Sequence, residues 1–129
     1  MKALFSVLFL NLLLFANKID VQYLQGEQLY LQTCVSCHGI DGRADTNLKL
    51  IVKPRDLTKT ILDEEQIYLI TKDGARFWGA KSDIMPAFKY TFEDEQLRAV
   101  SYYISKKFNP NNKKRIKILS AIGSRISPI

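Results

Sequence analysis

Apolar residues recur at intervals of three and four in separate stretches of the chain, and no stretch shows the convincing alternation of a half-buried strand. Gln22 to Cys37 reads as a first helix, with Leu24, Tyr30 and Leu31 among its apolar positions and Gly39 just past its end as a stop signal. Asp63, with Gln66 three residues on, has the form of a capping box for a second helix. Ile67 and Ile70 keep helical spacing within it, and Gly74 supplies its C-terminal stop. Thr91 with Asp94 is the expected cap of a final helix, in which Leu97, Val100, Ile104 and Phe108 recur three or four apart before Asn109-Pro110 ends it. The predicted class is all-α.

Two loop-rich segments separate these helices. Gly39 to Thr60, with Gly42 and Pro54 and little periodicity, suits a segment wrapped over something else. Gly74 to Tyr90 contains Trp78, Gly79, Met85 and Pro86. It is long for a loop and too apolar for a linker, which marks it as functional.

The start of the chain changes the picture. Lys2 precedes an apolar run of 14 residues from Ala3 to Ala16, broken only by Ser6 and Asn11. Spanning helices need roughly 18 or more such residues, so residues 1–16 read as a secretory signal peptide, with an uncleaved anchor as the second reading. The expected organisation is a leader at 1–16, a domain at 17–109 and a basic tail at 110–129, with export to the periplasm. Charge supports this division. Residues 17–109 hold 13 Lys plus Arg and 13 Asp plus Glu, while Lys113, Lys114, Arg115, Lys117 and Arg125 lie in the tail. A neutral domain argues against a nucleic-acid-binding face.

Cys34-Val35-Ser36-Cys37-His38 carries the chemistry. Two thiols three positions apart on a helix share a face, so both can reach the vinyl groups along one edge of a haem, and the adjacent His38 can meet the iron. A thioredoxin-like dithiol would require a βαβ context that the pattern lacks. Structural zinc needs four ligands, and the chain has two Cys and one His. A plain disulfide would leave His38 unexplained. For the second axial ligand, His38 is the only His, both Cys are consumed, and Met1 leaves with the leader, so Met85 remains. Pro86 pushes Met85 toward extended backbone, as a stiff ligand loop requires. A Lys amine or an open sixth position is the competing arrangement, and the latter would make a ligand-binding or peroxidatic haem protein.

From about Gln22 to Phe108 the chain resembles the class I cytochrome c family. The resemblance rests on Gly26 and Tyr30, Cys34 to Gly39, Asp41-Gly42, Pro54-Arg55-Asp56-Leu57 and Ile84-Met85-Pro86-Ala87-Phe88. It implies three to four main helices around one covalent haem c, and electron transfer without catalysis between redox protein partners. The runner-up is a cytochrome c subunit of a larger oxidoreductase or oxidase. The resemblance further implies that the first and last helices cross at right angles, with Gly26 and Tyr30 facing Val100 and Tyr103. It places the Pro54 carbonyl on His38, and Arg76, Trp78 and Lys81 near the haem propionates. The basic tail or an uncleaved leader would provide any membrane contact.

Overall fold

In the computed structural model, residues 21–79 and 84–111 are described. The expected leader, Lys81 and every basic residue of the tail lie outside them. Helix α1 occupies residues 21–38: α-helical 21–29, a π turn at Tyr30–Cys34, and α-helical Val35–His38. Helix α2 is Lys49–Val52, α3 is Glu64–Asp73 and α4 is Asp94–Lys107, with single 3-10 turns at Leu57–Lys59 and Phe88–Tyr90. No strand occurs among the described residues, which bears out the all-α class. None of the described helices is long and apolar enough to cross a membrane.

The cap of α3 forms as its spacing predicts: Asp63 Oδ1 accepts from Gln66 N–H at 2.8 Å and Gln66 Oε1 from Asp63 N–H at 3.0 Å. The cap of α4 lies two residues beyond the expected Thr91. Glu93 is the N-cap, its N–H donating to Gln66's counterpart, Gln96 Oε1, at 3.0 Å. Thr91 instead closes the preceding 3-10 turn, donating its N–H to Phe88 O. The loop-rich segment after Gly39 contains α2 and the Leu57–Lys59 turn.

The core sits where α1 crosses α4. A Cβ placed on Gly26 would lie 2.1 Å from Ala99 O and 2.8 Å from Tyr103 Cβ, so the two backbones touch at a point only glycine permits. Around it Tyr30 and Tyr103 pack at 5.4 Å between ring centroids, Tyr23 and Tyr103 at 5.0 Å, and Tyr30 and Phe108 at 5.2 Å. Such pairs contribute about 0.5–1.5 kcal/mol each beyond their buried area. Leu97, Val100, Ile104 and Phe108 are all buried, as their spacing predicts. Leu24 and Leu31, expected among the helix's apolar positions, are exposed. The inward stripe is set by the glycine contact, and it carries Tyr23, Gly26 and Tyr30.

Helix α3 runs alongside α4, contributing Ile67 and Tyr68 to the buried set. The Arg98 guanidinium lies 4.0 Å from the Tyr68 ring centroid and bridges Asp94 on its own helix to Glu65 on α3, at 3.1 and 3.2 Å. These exposed pairs orient the two helices more than they stabilise them.

The crossing is expected to lose stability in base. Burial raises the Tyr30 phenol above its ordinary range, and burial with the nearby Glu27 carboxylate pushes Tyr103 up to about 12. A raised folded-state value means that the contribution is complete below the unfolded value near 10 and is lost as pH climbs through the folded one. Thermal melts should therefore show stability falling between pH 10 and 12. A Tyr103→Phe variant should show a shallower fall over that window.

Candidate functional site

Cys34, Cys37 and His38 occupy the last turns of α1, and the chain supplies partners for carbonyls that a helix end leaves open. Cys37 O accepts from Thr46 Oγ1 at 3.2 Å, His38 O from Ala44 N–H at 2.8 Å, and Gly39 O from Tyr30 OH at 2.6 Å. Tyr30 thus has a second role that its spacing did not reveal. Its ring fills the crossing while its hydroxyl holds the turn just past His38.

The next loop folds back along a traceable path. A Cβ on Gly42 would meet the Phe108 ring at 2.7 Å, so this turn is seated against the end of α4. Gly42 O accepts from Leu57 N–H at 2.7 Å, which draws residues 54–57 alongside the motif. Asp56 caps the Leu57–Lys59 turn through Thr58 N–H at 2.9 Å. As a result His38 Nδ1 lies 3.0 Å from Arg55 O.

This corrects one expectation: the carbonyl on His38 belongs to Arg55 and not to Pro54. The bond from Gly42 to Leu57 sets the register, and with Asp56 engaged in its own cap the carbonyl two residues before Leu57 reaches the imidazole. A carbonyl can only accept, so Nδ1 must carry the proton and Nε2 the lone pair. Burial holds His38 below the usual imidazole range, with the Arg55 bond opposing that shift.

No disulfide joins Cys34 to Cys37, and burial, reinforced by Cys37, pushes the Cys34 thiol up to about 12. A disulfide-exchange dithiol needs the reverse, a depressed value that populates thiolate. Among the described residues no group of three or more His, Cys, Asp or Glu is arranged to hold a metal ion. The motif fits covalent haem: two thiols on one helix end, and beside them an imidazole whose Nδ1 is committed to a backbone carbonyl while Nε2 keeps its lone pair.

The second cluster forms at the C-terminal end of α3. Gly74 takes φ +81°, and a Cβ there would meet Ala87 N at 2.9 Å, Met85 O at 3.0 Å and Pro86 C at 3.1 Å. Ala75 N–H donates to Met85 O at 3.1 Å. Gly74, read from sequence as a helix stop alone, is therefore also the surface against which the Met85 segment lies. Arg76 and Trp78 sit in the turn at residues 75–79, both exposed, with Trp78 Nε1 donating to Leu69 O at 3.3 Å. The structure thus joins Arg76, Trp78 and Met85 through the end of α3, and joins Cys34, Cys37, His38 and Arg55 through the end of α1. Both groups hang from the core that α4 organises.

The family model described as "Cytochrome C oxidase, cbb3-type, subunit III" matches residues 21–104. No curated protein matches, and no solved structure matches. The matched span runs from the start of α1 to Ile104 in α4, and both clusters fall within it.

Proposed function

Because the chain belongs to this family of c-type cytochromes, we propose that it is an exported monohaem carrier in which His38 and Met85 hold the iron and single electrons pass between respiratory proteins. Haem-based electron transfer comes with the family; bound covalently through Cys34 and Cys37, haem c supplies a one-electron ferrous/ferric couple. The observation that carries the role of His38 is the bond between its Nδ1 and Arg55 O at 3.0 Å. It fixes the imidazole orientation and increases its basicity, as a carbonyl behind a metal-bound histidine does.

Met85 is supported by its backbone. Its carbonyl is held by Ala75 N–H, Pro86 stiffens it, and Gly74 lies against it. A thioether ligand favours the ferrous state and so raises the potential. If His38 and Met85 both held the iron, no position would be left on it for a substrate, which favours a carrier over an enzyme.

Absorption and proton NMR spectra of the holoprotein test this reading. The ferric sulfur-to-iron band and a strongly shifted Met methyl are expected, and Met85→Ala should abolish both while the haem stays covalently attached. If the native protein lacks both signals and binds carbon monoxide readily, the closed-iron reading falls.

The family description favours one second reading, a cytochrome c subunit of an oxidase held in place by the leader or tail. Recovery of the full chain with a large membrane partner would establish that reading. A soluble monomer after export would establish the free carrier.

A further inference from the structure

A regular α1 could not have the packing that is observed. Leu24 and Val35 are eleven residues apart, about three turns at 3.6 residues per turn, so in an unbroken α-helix they would share a face to within about 20°. Yet Leu24 is 60% exposed, whereas Val35 packs against the buried cluster of Tyr30, Val100 and Tyr103. The interruption lies between them. Val35 N–H donates to Tyr30 O, five residues back, which closes the π turn Tyr30–Cys34.

A π turn holds one residue more than an α turn, so every later side chain is set back by about 100° around the axis. With that setback Cys34 and His38 fall within about 20° of the direction of Gly26; without it they would stand about 80° and 120° away. The observed packing agrees: Cys34 and Val35 lie against the core and Ser36 is exposed.

We propose that this π turn registers the haem-attachment motif to the helix crossing. It absorbs one surplus residue between Tyr30 and Cys34, so that Cys34 and His38 return to the stripe on which Gly26 meets α4. The rotation matters because two independent contacts must agree. Gly26 against Ala99 fixes how α1 lies on α4, and Gly42 against Phe108 helps fix where Arg55 O lies. His38 meets that carbonyl only if α1 arrives with the right rotation. The surplus residue is accommodated on the solvent side, where Leu31 and Gln32 are exposed. The proposal rests on Cys34, Cys37 and His38 being the attachment motif, and it does not require Met85 to bind.

The test compares two full-length exported variants. Deleting Gln32 removes the surplus residue and should leave a regular helix with the same faces. Inserting Ala between Gln32 and Thr33 adds a second surplus residue. The deletion should keep covalent haem yield, the native ferric spectrum and the His38 ring signals within about twofold of wild type. The insertion should lower holoprotein yield about tenfold or more, the scale on which misdirected ligand supports act.

Equal damage from both variants overturns the proposal. Should the deletion fail to accumulate, hydrogen-bond scalar couplings in the wild-type holoprotein decide. A coupling from Val35 N to the Tyr30 carbonyl supports the π turn, and one to Leu31 overturns it. Failure of the Met85 assignment would appear separately, as missing Met signals in wild type while the holoprotein yields and the coupling still discriminate.

Discussion

Gly26→Ala is expected to destabilise the holoprotein by about 3 kcal/mol or more, placing it in the tail of single-substitution effects. The added methyl would lie 2.1 Å from Ala99 O and 2.7 Å from Ala99 C, both backbone atoms, so no side-chain rotation can relieve the contact. The helices would have to separate, and Tyr30, Tyr103 and Phe108 would lose part of their mutual packing. A small-to-large change in a well-packed core ordinarily costs about 1–3 kcal/mol, and one against backbone belongs at or above the upper end. Denaturant unfolding of the variant measures it. A loss below about 1 kcal/mol, within the everyday range for point variants, would mean that α1 and α4 do not touch at this position.

Gly74→Val is expected to act on the iron as well as on stability. At φ +81° any β-branched residue is strained, by about 1–3 kcal/mol for such backbone positions. Its Cβ also meets Ala87 N, Met85 O and Pro86 C, so the segment bearing the proposed axial sulfur must move. The sulfur-to-iron band and the shifted Met methyl should weaken or vanish while the thioether linkages persist. Gly79→Val is the matched control, because Gly79 has φ +89° but a Cβ there meets nothing within 4 Å. The control should share the strain and keep the band. Loss of the band in both variants would assign the effect to general loosening of the loop and not to contact at Met85.

These two glycines look alike in sequence, each a small residue at a helical position or terminus, and the structure separates them. Gly26 was legible through family resemblance as the crossing residue, although its closest partners are Ala99 and Tyr103, with Val100 buried beside them. Gly74 was legible only as a stop signal. A stop is a local property of backbone angles, whereas its contact with Met85 to Ala87 depends on where the loop returns eleven to thirteen residues later.

The same division runs through the site. The candidate attachment motif with His38 was legible from spacing, because two thiols and an imidazole in five residues constrain the chemistry without reference to the rest of the chain. Arg55 could not be found this way: it acts through its carbonyl, which every residue possesses, and Pro54 was the neighbour with a recognisable side chain. The faces of α1 were misjudged for a related reason. Spacing does not say which stripe of a helix faces inward, and the backbone contact of Gly26 with Ala99 turns Leu24 and Leu31 outward.

By itself the sequence determined the all-α class, the capping box at Asp63 and Gln66 and the buried series from Leu97 to Phe108, and it singled out the candidate haem-attachment motif, since each depends on neighbours within a few positions. Only the tertiary structure decided which carbonyl meets His38, which helix end the Met85 segment lies against and where a π turn interrupts α1. Those outcomes depend on backbone-to-backbone approach between segments distant in the chain, and backbone atoms are chemically the same at every residue.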